Sequence, residues 1–264
     1  MAAKLKKYLK LFLFIQKNNL KTAFISKSDA LTNIFIMVIN NLSFVFMWWI
    51  LFQHKGSING WGFGDMAILF AVGNNAFGFF AVFARGVQQI PEYIDNGNLD
   101  NFLVYPQNSL FLISTSESSF ASWGDFITGF LLFFISGYVS WLNFGIMLFC
   151  SFLGAILMYS IRLLVSSMAF FISDSQRLGD NIFISFITFS CQPASIFTGW
   201  YKIIFLTILP AGLLSLCPVN LIKNFYWYEF VYFILAIAFF FTISIIAYKS
   251  GLKRYSSGNR FGVR

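Results

Sequence analysis

Residues 126–161 read FITGFLLFFISGYVSWLNFGIMLFCSFLGAILMYSI, without a charge, and the apolar character resumes beyond Arg162 as far as Ile172. A hydrocarbon core of about 30 Å takes about 20 helical residues at about 1.5 Å each. The stretch therefore holds two membrane spans, 121–137 and 143–172, turning around Gly137, Tyr138, Trp141 and Asn143, where turn-forming and interface-seeking residues coincide.

The composition agrees. Of 264 residues 58% are apolar, 21% aromatic and 11% charged, against roughly 25% charged in soluble domains. So few charges beside 37 Phe cannot cover a water-facing surface, which excludes a soluble fold. The net charge of +8 does not indicate nucleic acid, because the basic residues gather at the two ends of the chain instead of lining one face. Further apolar segments lie at 30–53, 66–84, 181–199, 203–222 and 227–248, making seven candidates. Seven crossings would separate the termini. Yet residues 1–29 carry seven lysines and the tail carries Lys249, Lys253, Arg254, Arg260 and Arg264, so both ends read as cytoplasmic. The segment that fails to cross is 203–222, interrupted by Pro210, Gly212 and Pro218 and bracketed by Lys202 and Lys223. It reads as a re-entrant helical hairpin, with Cys217 reachable from outside. The expected fold is all-α: a single domain, 1–264, with six spans, multi-pass in the plasma or inner membrane of a bacterium.

Ahead of the first span, Lys6, Lys7, Lys10, Lys17 and Lys21 share one side of a helical wheel, and Leu5, Tyr8, Leu9, Phe12, Leu13 and Leu20 occupy the other. Residues 4–27 are thus expected to form an amphipathic helix along the inner leaflet.

Catalytic motifs are thin. There is no Gly-Lys dipeptide and so no phosphate-cradling Walker A loop. Gly62, Phe63, Gly64 and Asp65 match the GxGD pattern of intramembrane aspartyl proteases, but a second aspartate motif is missing, and the segment reads as a Gly-rich external turn with Asp65 as helix cap. His54 is the single histidine. Cys150, Cys191 and Cys217 lack metal-ligand spacing and are expected as free thiols. The chain is read as a non-enzyme holding neither metal nor cofactor. Arg162 lies within an apolar helix about 7 Å from the midpoint of its span. It is a candidate functional charge, or a structural one paired with Glu117 or Asp125. Asn40, Asn41, Asn74 and Asn75 on the first two spans either line a path or join helices through hydrogen bonds.

The loop 90–106, IPEYIDNGNLDNFLVYP, is more specific. Pro91 suits a helix start, Glu92 complements its N-terminus and Gly97 suits the residue just past its end. Glu92, Asp95 and Asp100 are acidic where the positive-inside rule favours basic residues, which points to a basic protein partner. Tyr93, Ile94 and Leu99 are the expected apolar anchors.

This loop, the segment PASIFTGWYKIIFLTILPAGLLSLCPVNLI at 193–222 and GLKRYSS at 251–257 together resemble the permease subunits of ABC-2 type transporters. The similarity is to the type V exporter-like branch whose six-span permeases work with a separately encoded ATPase. The resemblance implies an elbow helix at 4–27, an ATPase-coupling helix carrying Pro91, Glu92, Tyr93, Ile94, Gly97, Leu99 and Asp100, and a re-entrant pair before span six. It also implies a homodimer or a related heterodimer of permeases in membrane lipid, two cytoplasmic ATPase subunits that bind ATP and Mg, and export. Two other classes are the alternatives. A membrane-embedded enzyme requires facing ionisable pairs at depth, and an ion-coupled secondary carrier requires broken helices repeated in two halves.

Overall fold

The computed structural model describes residues 2–172, 175–193, 196, 197, 199, 200, 205, 207 and 210–256. These residues are helical apart from turns and one isolated bridge, Ile58 to Trp61. The helices are α1 (Ala2–Ala23), α2 (Lys27–Lys55), α3 (Phe63–Phe83), α4 (Ile90–Asp95), α5 (Asp100–Leu103), α6 (Ser109–Ser116), α7 (Trp123–Ile135), α8 (Trp141–Ser166), α9 (Ser175–Ser190), α10 (Gly212–Lys223) and α11 (Trp227–Leu252). Short 3-10 turns at Arg85–Gln89, Phe120–Ser122 and Ser167–Phe170 join them.

Helix α3 is the axis of the fold. Asp65 through Val72 are buried without a break, as are Asn75, Ala76, Gly78 and Phe80 to Val82. A helix apolar on every side belongs inside a bundle, and α3 packs chiefly against α8 and α7, with α10 and α2 completing the ring. Its small residues allow this. Ala76 meets Gly154 of α8, where larger side chains would hold the backbones apart. By contrast α2 and α11 keep broad apolar faces exposed, among them Leu31, Phe35, Leu235 and Phe239, as a lipid-facing helix does.

Four helices, α2, α3, α8 with its 3-10 extension, and α11, are long and apolar enough to cross a membrane. The expected span 121–137 is a bent unit instead. Ser109–Ser116 and Phe120–Ile135 meet at 74°, and α7 alone covers only about 20 Å at 1.5 Å per residue. The bend falls where Glu117, Ser118 and Ser119 leave the helical ladder. The segment expected at 181–199 is α9, which begins earlier, at Ser175, and stops at Ser190, ahead of Pro193. The first helix ends at Ala23, and Lys27 already opens α2 after Ser26 accepts from the Ala30 N–H.

Of the segment 203–222, the second limb is α10, while 203, 204, 206, 208 and 209 lie outside the described residues. Pro210 is a buried turn residue, Gly212 opens the helix and Pro218 sits within it. At about 18 Å α10 is too short to cross alone. Cys217 is buried on it, so external access through that thiol is not expected: it faces α8, where Gly154 adjoins Leu214 and Cys150 lies near Cys217.

Gly86 fixes the turn below α3. A methyl group there would overlap the backbone oxygen of Ile113, because the 3-10 turn runs directly against α6. Gly86→Ala should destabilise the protein by about 1–3 kcal/mol or more, as overpacking against backbone does. Gly73→Ala, inside α3 with open space around it, should not lower the thermal unfolding temperature in detergent, since alanine is the better helix former.

Candidate functional site

Three polar clusters are strung along α3. At its start, Asp65 stands three residues past the cap residue Gly62 and accepts that residue's N–H through Oδ2 at 2.9 Å. It is not itself the cap. The same oxygen meets Lys223 Nζ at 2.9 Å, and Oδ1 accepts from the Tyr138 hydroxyl at 2.9 Å. Burial and the adjacent Asp65 push the Tyr138 phenol up to about 12. Asp65 thus ties the end of α10 and the α7–α8 turn to the core, and sequence reading missed Lys223 because the two lie far apart along the chain.

At the middle of α3, a cavity of about 330 Å³ opens between α2, α3, α7 and α9. Asn40, Asn41, Asn74, Asp125, Thr188, Ser190 and Gln192 contribute polar groups to its wall, and Met37, Phe44, Met47, Trp48, Phe70 and Phe77 apolar ones. Asn41 Nδ2 donates to Asp125 Oδ1 at 2.7 Å and to Thr128 Oγ1 at 3.1 Å, and Asn74 Nδ2 reaches the same threonine at 3.2 Å. Asn40 is exposed at the rim. Asn75 faces elsewhere, donating to Met147 Sδ at 3.3 Å. The amides therefore divide between the two roles open to them: Asn41 and Asn74 bond between helices and also line the cavity.

Below the far end of α3 lies the loop 85–106. Pro91 is buried in the first turn of α4, and Gly97, at φ +70°, follows Asn96 just past its end. That left-handed conformation suits glycine. The expected apolar anchors are not free. Leu99 and Ile94 are buried, the Leu99 N–H donates to Tyr93 O at 3.0 Å, and the Tyr93 ring packs 5.0 Å from Phe102. Burial raises the Tyr93 phenol, with Ser116 opposing and Glu117 and Glu92 adding. A loop this short can hold its shape only by turning such side chains inward. Glu92 and Asp95 point outward, together with Leu103, Val104 and Tyr105. Asp100 lies beside Tyr255, whose phenol is raised by burial and by that carboxylate.

Arg162 pairs with neither expected acid. Glu117 accepts from Gln89 Nε2 at 3.0 Å and Asp125 is engaged with Asn41. Instead Arg162 Nη2 meets Asp180 Oδ1 at 2.6 Å, donates to Gln88 O at 3.3 Å, and the guanidinium lies 5.4 Å from the centre of the Phe183 ring. Helices α8 and α9 are neighbours both along the chain and in space, which sets Asp180 at the level of Arg162. Starting the span at 181 hid this. The arginine thereby links the 3-10 turn leading into α4 with α9.

The sequence profile of the ABC-2 family transporter proteins matches residues 36–258, and the chain belongs to that family. It is a transporter permease, a multi-pass membrane protein whose family works in general with an ABC ATPase. Among proteins of curated function, none matches its sequence significantly.

The Arg162–Asp180 pair is asymmetric, with Arg162 buried and Asp180 42% exposed. Removing the aspartate strands a desolvated charge, while removing the arginine leaves an acid that surroundings can solvate. Asp180→Ala should cost roughly 1–3 kcal/mol, less than the ~3–5 of a fully buried pair because Asp180 is partly exposed. Arg162→Met should cost less, and the double variant should recover much of the Asp180→Ala loss. Thermal unfolding of the four proteins measures this, and equal losses for both single variants would refute the asymmetry.

Proposed function

We propose that this chain is the membrane half of an ABC exporter and forms one side of a translocation pathway whose ATP hydrolysis, with ATP and Mg, occurs on a separate cytoplasmic subunit. The observation that carries this is the loop 85–106: rooted in the core by Pro91, Ile94 and Leu99, it exposes Glu92, Asp95, Leu103, Val104 and Tyr105 on its outer side. A lever needs such a construction. Its buried roots transmit displacement and its exposed residues engage a basic partner, while Arg162 joins the same turn to α9, so that motion of the loop reaches the helix lining the cavity. ATP-driven closure of the ATPase pair moves the levers and changes access to the pathway, provided that each state has contacts the other lacks.

The six-span reading assigns α2, α3, the bent unit ending in α7, α8, α9 and α11 as spans, with α10 as the inner limb of a re-entrant segment and both termini in the cytoplasm. Support comes from the lysines of α1. Tyr8 and Phe12 of that helix face the body, 5.0 Å from Phe111 and 5.9 Å from Phe83, and Leu5, Leu9 and Leu13 are left exposed. This exposed stripe suits an inner-leaflet lipid surface in the plasma membrane. A second permease, identical or related, covers the face bearing Asn40, Ser43, Asn181, Ser185 and Thr188, because these exposed polar residues on α2 and α9 are poorly suited to hydrocarbon. Direction outward and a non-catalytic role for this chain complete the proposal.

Two experiments test it. From native membranes, the tagged chain should recover an ABC ATPase identifiable by mass spectrometry. Val104→Asp with Tyr105→Ala should lower that recovery at least tenfold, whereas Glu92→Gln should change it little, since exposed ion pairs contribute only about 0–1 kcal/mol. Undiminished recovery from the double variant would remove the loop as docking element. For topology, Asn224→Cys in a chain lacking the three native cysteines should react with a membrane-impermeant maleimide in intact cells. Reaction only after permeabilisation would overturn the six-span arrangement.

A further inference from the structure

Among the described residues three charged side chains are fully buried, Asp65, Arg162 and Asp125, and two of them are paired. Asp65 has Lys223 and Arg162 has Asp180. Asp125, only 2% exposed, has no cation among the described residues. Its Oδ1 accepts from Asn41, but Oδ2 has no hydrogen-bond partner. The local sequence offers that oxygen a use, since Ser122-x-x-Asp125 is a capping-box spacing in which the acid bonds the cap residue's N–H. That bond is not made. The Ser122 N–H goes to Ser119 O at 3.3 Å, and the Ser122 hydroxyl, although close to the carboxyl, donates to Ser119 Oγ at 3.1 Å. A carboxylate held away from water with one oxygen unbonded is costly, and ionisable groups at such depth are kept where they meet a partner.

The partner's place is the cavity, of which Asp125 is the one charged wall residue among the described residues. Beside the amides and hydroxyls of that wall, Phe44, Trp48 and Phe70 form an apolar stretch that suits a hydrocarbon. At about 330 Å³ the cavity is near the lower end of ligand sites, about 300–1,000 Å³. It has room for an ammonium head and a single chain, not for a two-chain lipid.

We propose that the cavity between α2, α3, α7 and α9 binds an amphiphilic amine, its protonated nitrogen paired with Asp125 and its hydrocarbon part laid along Phe44, Trp48 and Phe70. The proposal deepens the transport reading, and it rests on that reading only in treating the ligand as cargo.

The test is saturable binding of radiolabelled dodecylamine to the full-length chain in nanodiscs, corrected for empty nanodiscs, with dodecanol as the uncharged match. Wild-type protein should bind the amine at least tenfold more tightly than the alcohol. Asp125→Asn, which keeps the shape and an acceptor for Asn41, should lower amine affinity at least tenfold and leave dodecanol unchanged. Equal binding of amine and alcohol to the wild type overturns the proposal even if the variant fails to fold, and so does a folded Asp125→Asn that holds the amine undiminished. Competition by a single-chain lysophosphatidylethanolamine would identify a lipid headgroup as the natural source, and competition by free amines alone a soluble amphiphile; each supports the site. Because binding is measured without the ATPase, an amine that binds but is not moved across ATPase-containing vesicles would count against the transport reading and leave the site standing.

Discussion

Helix α3 is enclosed along nearly its whole length, and the rest of the molecule is arranged to permit this. In a bilayer, lipid tails compete with side chains on equal terms, so a central helix is held by fit and by polar links and not by exclusion from water. Fit comes from the alanines and glycines that let α8 and α10 approach. The polar links are spaced along its length, Asp65 near the start, Asn74 and Asn75 in the middle, and the Arg85–Gln89 turn just past the end. Because each of these ties a different neighbour to the same rod, a shift of α3 along its axis disturbs all of them together.

The apolar segments, the caps of α4 and the lysine-bearing first helix were legible because each depends on neighbours along the chain: length, periodicity, and a glycine where φ must be positive. What sequence reading missed depends on neighbours in space. Asp180 finds Arg162 across a packed helix pair, and Lys223 finds Asp65 across most of the chain. Leu99 turns inward because Tyr93 and Phe102 close a small loop over it. Charge type alone suggested that Arg162 has an acidic partner; only the packing of α8 on α9 could say which. The bend before α7 escaped for a similar reason, since residues 109–135 carry enough apolar character to pass for helix, and Glu117 departs from the helix to bond Gln89.

The middle cluster occupies an intermediate position. Asn40, Asn41 and Asn74 were visible as amides at unusual depth, but a sequence cannot tell an interhelical bond from a cavity wall, and here two of them serve as both. Asp125 was visible as an acid and stood with Glu117 as an expected partner of Arg162, which pairs with Asp180 instead. The bond of Asp125 to Asn41, which forgoes the helix-capping contact, draws it into the α2–α3–α7 interface.

The loop at 85–116 is braced from both ends of the chain. Tyr8 and Asn19 of α1 bond Asn108 and the Thr115 carbonyl, at 3.1 and 3.2 Å, while Tyr248 of α11 reaches Ser109 at 3.3 Å and Gly251 seats against Phe170 under the same surface. A ribosome delivers α1 before α11, so this surface acquires the brace from Tyr248 and Gly251 only when α11 has entered the bilayer. Assembly order is thus written into the fold: a nascent or truncated chain displays the loop without its support, and a soluble partner that recognises the braced form would pass over unfinished copies.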